Sequence, residues 1–156
     1  MKKTSRELVL IAHNIRSAYN VGSLLRTADS LGVARVILTG YSPSSSHVRV
    51  KKTALGAESS VKLEEAIDVV DVLAALRRDG YRIVGLELDL RSISLRVYEP
   101  PEKIALLLGN ECEGITLHLR DACDDLVMIE QHGMKESMNV SVAAGIATYS
   151  LLTPAS

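Results

Sequence analysis

After a short basic stretch the chain enters a nearly unbroken apolar run, Glu7-Leu-Val-Leu-Ile-Ala-His13. A run this short, apolar at successive positions, predicts a strand buried on both faces, the pattern of a parallel sheet. The period then changes. Val21, Leu24, Leu25, Ala28 and Leu31 recur at helical spacing, with Asn20 as the expected N-cap and Gly32 as the stop. Residues 34–38 read as the next strand and 40–47 as a polar loop. A helix is predicted over 63–78, on apolar positions 66, 67, 70, 73 and 74, ending before Gly80. Strands follow at 82–88, 104–108 and 126–129, and a last helix at 138–152, N-capped by Ser137. Strands alternating with helices predict an α/β fold with a mainly parallel sheet flanked by helices, as one domain over 1–156. Ligands in such folds collect in loops beyond the carboxyl ends of the strands.

Three segments in that position carry chemistry. The first runs from His13 to Gly32. Its helical stripe leaves Arg26 almost opposite the apolar face, beside Asn14, Arg16 and Asn20 at the strand-to-helix junction. Two guanidinium groups and two amides suit phosphate or ribose oxygens, whereas a solvated Arg with a snorkelling stem is the plainer reading. The second is Leu106-Leu-Leu-Gly-Asn-Glu-Cys-Glu-Gly-Ile115, where Gly109 and Gly114 flank Glu111. Glycine admits close approach of backbone to a ligand. Ile115-Thr116 stands where a phosphate-binding P-loop needs Lys-Ser/Thr, and no GxGxxG occurs. The plainer reading is a strand-to-helix turn whose Glu111 or Glu113 serves the helix start. The third runs from Ile129 to Ile146, with Ser137 and Asn139 at the mouth of a helix that is apolar or small on nearly every side. Such a helix is expected to be buried, and its small residues admit another backbone, such as another subunit's.

The net charge of −1 at first argues against a nucleic-acid partner. It hides an asymmetry. Residues 1–62 carry ten basic and three acidic side chains, a sum of +7, against −8 in the remainder. The basic portion includes Arg16, Arg26, Arg49, Lys51 and Lys52, a pattern that suits a polyanion. With no Trp, no Phe and five Tyr, aromatic base-stacking has little material. Cys112 and Cys123 lack CxxC partners and read as reduced thiols, and the four histidines show no metal-ligand spacing. The apolar run near the start is too short for a signal peptide, and no run suffices for a membrane span, so a cytoplasmic protein is expected.

Taken in order, the three segments resemble the SpoU/TrmH family of SPOUT-class RNA ribose 2′-O-methyltransferases. The matching residues are Asn20-Val-Gly-x-x-x-Arg26-Thr-Ala-Asp-x-x-Gly32-Val33, Leu108-Gly-x-Glu111-x-x-Gly114 and Ser137-Met-Asn-Val-Ser-Val-Ala143. Lys52-Thr-Ala-Leu-Gly-Ala57 is similar to a further family segment. The resemblance spans about residues 8–152. It implies a carboxyl-terminal trefoil knot holding S-adenosyl-L-methionine, and an obligate homodimer. It places Leu108, Gly109, Gly114, Ile129 and Met138 at the cofactor, largely through backbone groups. It makes Arg26 the catalytic arginine, with Asn20, Glu111, Ser137 and Asn139 as its supporting residues. Asn14, Arg16, Arg49, Lys51 and Lys52 are the expected RNA contacts. Two departures stand out. Ile129-Glu130-Gln131 replaces the usual Ile-Pro-Met, and Met138 replaces Leu.

The expected activity is therefore methyl transfer to a ribose 2′-hydroxyl of RNA. Transfer RNA is slightly favoured over ribosomal RNA, because a bare catalytic domain resembles the small tRNA enzymes of the family. The alternatives are a non-catalytic RNA-binding or assembly protein on the same fold, and a methyltransferase acting on a base nitrogen. Arginine stays protonated at neutral pH, so Arg26 is expected to orient the hydroxyl and stabilise developing alkoxide charge. A base role after a depressed pKa is the other reading.

Overall fold

The computed structural model describes residues 5–135 and 137–153. Seven strands form one parallel sheet: β1 (Glu7–His13), β2 (Arg35–Thr39), β3 (Leu63–Ala66), β4 (Arg82–Leu86), β5 (Ile93–Ser94), β6 (Lys103–Leu108) and β7 (Asp125–Met128), in the order β3-β2-β1-β6-β4-β7-β5. Helices α1 (Ala18–Leu31), α2 (Val48–Ala54), α3 (Ala57–Ser60) and α6 (Val140–Leu152) contribute to one core layer; α4 (Val69–Arg78) and α5 (Leu117–Ala122) contribute to the other. Alternation along β1 feeds both. Leu8, Leu10 and Ala12 join the core of α1 and α6, and Val9 and Ile11 join that of α4 and α5. The expected parallel α/β sheet is thus observed.

Four local expectations are corrected. Residues 63–78 are not one helix. Residues 63–66 pair with β2 as β3, and α4 begins only after Asp68, whose side chain accepts from Val70 N. The buried stripe of α4 is Val69, Leu73 and Leu76, while Ile67 and Val70 face solvent. The helical spacing at 66, 67 and 70 was a coincidence between a strand end and a helix start. Secondly, α1 begins a turn earlier than Val21: Ser17, not Asn20, is its N-cap, accepting from Asn20 N at 3.2 Å. Thirdly, Asn139, not Ser137, caps α6, through Ser141 N at 2.9 Å and Val142 N at 3.3 Å. Lastly, α6 is not buried all round. Ala144, Ala147, Thr148, Leu151 and Leu152 face inward, but Val142, Ile146 and Tyr149 are exposed. The short elements α2, α3 and β5 lie where no element was predicted; none is long enough to show a period.

Close approach of α1 and α2 depends on Gly22. A Cβ there would stand 1.8 Å from Thr53 Oγ1 and 2.5 Å from the Val50 carbonyl oxygen. The opposite flank of α1 meets α6, with Gly145 facing Thr27. No helix among the described residues is long and apolar enough to cross a membrane.

Candidate active site

The loops following β1, β2, β4, β6 and β7 converge at the carboxyl edge of the sheet. The turn after β6 is the hub. Asn110 and Gly114 exchange two backbone hydrogen bonds, of 3.1 and 2.8 Å. Gly109 packs directly beneath them: a Cβ there would stand 2.3–2.5 Å from backbone atoms of Gly114 and Ile115. Asn110 is buried and spends its whole side chain on order. Its Oδ1 accepts from Cys112 N and Glu113 N, and its Nδ2 donates to the Asn14 carbonyl and to the Tyr41 hydroxyl. One amide thus ties together the loops after β1, β2 and β6.

Glu111 reaches from this turn to the start of α1. Arg16 N donates to both carboxylate oxygens at 3.0 and 2.9 Å, while Oε1 also accepts from Ser17 N and Asn20 Nδ2, each at 3.1 Å. Burial works to raise the Glu111 pKa, but the donors from Arg16, Ser17 and Asn20 outweigh it and hold the carboxyl below its ordinary value. An anion here also complements the positive end of α1. The same Asn20 accepts from Asn139 Nδ2 through Oδ1 at 3.3 Å. Glu111, Asn20 and Asn139 therefore link the three segments singled out in the sequence, across separations of 91 and 119 residues.

Beside this link lies a cavity of about 340 Å³. Leu108, Gly109, Gly114, Ile129 and Met138 all line it, as do Glu111 and Ser137. Asn20, Asn139 and Arg26 do not. Arg26 is exposed on the outer face of α1, one turn beyond Gly22, and makes no ion pair among the described residues. Asn14 is in the left-handed region, φ 54°, and its Oδ1 holds Tyr41 N at 3.1 Å. Arg16 extends over Cys112, Nη1 to Sγ at 3.5 Å. Arg49, Lys51 and Lys52 are exposed on α2, against the Gly22 flank of α1. The other basic side chains of the amino-terminal portion are partly committed elsewhere: Arg6 donates to the Leu151 and Thr153 carbonyls at the end of α6, and Arg35 pairs with Glu64 at 3.1 Å. Lys2 and Lys3 lie outside the described residues.

Sequence reasoning gave no role to Glu87 or Asn110, which shape the same cavity. Glu87 closes β4 onto the β6 turn, its Oε2 accepting from Ile115 N at 2.8 Å and its Oε1 from Leu88 N at 2.9 Å. Of the histidines, His13 is half-buried beside Thr39 Oγ1 at 2.9 Å, and burial lowers its pKa. His47 Nδ1 accepts from Arg49 N as the cap of α2. Among the described residues, no cluster of three or more His, Cys, Asp or Glu is placed to hold a metal, and both cysteines are free.

A parallel sheet whose carboxyl edge joins these three segments by hydrogen bonds, with the second and third walling one cavity, defines the class. Residues 7–149 match the SpoU rRNA Methylase family, and the chain belongs to it. A 23S rRNA (guanosine-2′-O-)-methyltransferase RlmB of Xanthomonas axonopodis pv. citri is 32% identical over 148 residues, covering 92% of this chain and 57% of that protein. The crystal structure of an AdoMet-bound rRNA methyltransferase from Sinorhizobium meliloti superposes with a TM-score of 0.87 at 25% identity, over 93% of this chain and 55% of that one. A structure described as giving insights into the 2-OH methylation of C/U34 on tRNA superposes with a TM-score of 0.82 at 26% identity, over 94% and 95%. The chain thus spans little more than half of the first two proteins and nearly all of the third.

Proposed function

We propose that the protein transfers a methyl group from S-adenosyl-L-methionine to a ribose 2′-hydroxyl of RNA. The observation that carries this reading is the Glu111–Asn20–Asn139 link, which ties the first motif segment of a SpoU chain to the second and third, and these two wall one cavity. The cavity fits the cofactor in size, since small-molecule sites of this class begin at roughly 300 Å³. Its walls combine Gly109 and Ile129 with Leu86, Leu108 and Val140, suited to a nucleoside with an aliphatic sulfonium arm. The AdoMet-bound Sinorhizobium neighbour supports the assignment. When bound, the cofactor supplies an electrophilic methyl group.

The residues divide the work. Leu108, Gly109, Gly114, Ile129 and Met138 hold the cofactor, and Ser137 stands at the mouth of its cavity. Glu111, Asn20 and Asn139 are positioning residues: their polar atoms are engaged with one another and with the caps of α1 and α6. Arg26 orients the ribose hydroxyl and stabilises charge developing on its oxygen, while the proton leaves to solvent or phosphate. Its position on the outer face of α1 supports a homodimer, because the exposed Val142, Ile146 and Tyr149 of α6 offer a second copy an apolar surface on the neighbouring helix. Covering that face is the step that brings Arg26 into a complete site. The carboxyl-terminal segment leading into α6 is assigned a trefoil knot.

Arg16, Arg49, Lys51 and Lys52, free of ion pairs among the described residues, meet the phosphate backbone, with Asn14 shaping the loop between them. Transfer RNA is the favoured substrate, supported by the superposition on the structure described for 2-OH methylation of C/U34 on tRNA. A cytoplasmic location accords with that substrate. Calorimetry with S-adenosyl-L-methionine tests the cofactor. Methyl transfer to total RNA from a strain lacking the gene, followed by mapping, tests the substrate. Label on a base nitrogen would overturn the ribose assignment, and failure to bind the cofactor would leave an RNA-binding protein without catalysis.

A further inference from the structure

We propose that Glu87 makes the cavity select the positively charged cofactor over its neutral thioether product, S-adenosyl-L-homocysteine. This rests on the cofactor reading above. The acidic side chains lining the cavity are Glu87, Glu111 and Glu113, and no Lys, Arg or His lines it among the described residues. The three differ. Glu111 is turned toward the start of α1 and engaged by Arg16, Ser17 and Asn20. Glu113 is exposed to solvent, where its field is weakened.

Glu87 is partly buried and held at both oxygens by backbone donors, Ile115 N at 2.8 Å and Leu88 N at 2.9 Å. Glycine at 114 leaves room for it: a Cβ there would stand 2.2 Å from Oε2. It makes no ion pair among the described residues. Neutral N–H groups orient this charge without cancelling it. Glu87 is therefore a fixed, uncompensated negative charge in the cavity wall.

S-adenosyl-L-methionine carries a sulfonium and an ammonium against one carboxylate, a net charge of +1. On methyl transfer the carbon–sulfur bond breaks, its electron pair stays on sulfur and the sulfonium charge disappears; the new carbon–oxygen bond forms on the ribose, whose proton leaves to solvent. The product is neutral overall. A fixed carboxylate in a partly dehydrated wall attracts the first and is indifferent to the second. Product release is thereby favoured by the same group that aids binding.

Titration calorimetry of both ligands on the full chain tests this. The native protein should bind S-adenosyl-L-methionine about tenfold more tightly than S-adenosyl-L-homocysteine, a ratio of about 1.4 kcal/mol. Glu87→Gln removes the charge and one backbone acceptor. The lost acceptor weakens both ligands alike, so the ratio isolates the charge, and it should fall to near one. Glu87→Asp should keep the preference, and Glu113→Gln should leave it unchanged. Equal affinities in the native protein, or an unchanged ratio in Glu87→Gln, overturn the inference while leaving the cofactor reading intact. If Glu87→Gln fails to fold, the native ratio and Glu87→Asp decide. A native protein that binds neither ligand defeats the cofactor reading, and this inference with it.

Discussion

Two regions on either side of the Asn20–Asn139 hydrogen bond are built in opposite ways. On the cavity side, polar groups are spent on internal order: Asn110 makes four hydrogen bonds, and Glu111 and Glu87 each hold two or more backbone N–H groups. On the outer side, α1 and α6 present Arg26, Tyr19, Val142, Ile146 and Tyr149 to solvent. The first region is complete within one chain. The second has exposed apolar surface and, in Arg26, a charge that makes no ion pair among the described residues. The contrast separates a cavity whose walls are fixed by hydrogen bonds within one copy from an outer face that the proposed site needs a second copy or an RNA to cover.

The sharpest way to break the ordered side is Gly109→Ala. Its methyl group would lie 2.3 Å from the Gly114 carbonyl carbon, against backbone that cannot swing aside. Cofactor binding in calorimetry should be lost entirely. Retention of native affinity would show that the turn is softer than its hydrogen bonds indicate.

On the open side, Arg26→Ala should lower kcat by about 10²–10³, the scale of a lost oxyanion stabiliser, with cofactor affinity unchanged. Arg26→Lys should retain part of the activity if charge stabilisation dominates. Its complete loss would favour guanidinium geometry or base chemistry. An Arg26→Ala protein that no longer binds cofactor would erase the division between the two regions.

A smaller effect separates the sides by pH. The Glu111 carboxyl titrates below its ordinary value of 4.5, so its stabilisation is present above that pH and lost as pH falls through the lower, folded value. Glu111→Gln should cost about 2 kcal/mol in denaturant unfolding at pH 7, and the gap from the native protein should close in strongly acidic buffer. A pH-independent difference would assign the effect to packing.

The smallest expected change concerns RNA. Replacing Lys51 and Lys52 by Ala should weaken binding about tenfold at low salt and flatten the slope of log affinity against log salt by about 2. An unchanged slope would remove α2 from the phosphate path.

Much of this arrangement was legible in residue order. The apolar runs at 7–13 and 104–108 became the central strands β1 and β6, and the five expected cofactor residues line one cavity. What escaped reading has physical causes. Ser17 and Asn20 can each cap a helix. Ser17 takes the role, its hydroxyl accepting from Asn20 N, while the Asn20 side chain is turned to Glu111 through Nδ2 and to Asn139 through Oδ1, 91 and 119 residues away. Glu87 falls inside the run 82–88 that reads as one strand; β4 ends at Leu86, and the partner that shows the role of Glu87, Ile115, lies 28 residues on. The outward face of α6 is invisible to periodicity, since Val142, Ile146 and Tyr149 are as apolar as the buried side. The basic excess of the first 62 residues is real but divided in space: Arg6 and Arg35 serve the fold, while Arg16, Arg49, Lys51 and Lys52 remain unpaired with carboxylates among the described residues.

Ribose methylation is read out by incubating the protein with RNA and radiolabelled methyl donor, then hydrolysing the RNA in alkali. A ribose 2′-O-methyl group blocks cleavage of the adjoining phosphodiester, so label is expected in alkali-resistant dinucleotides. Label recovered only in mononucleotides, or no label in RNA at all, would contradict it.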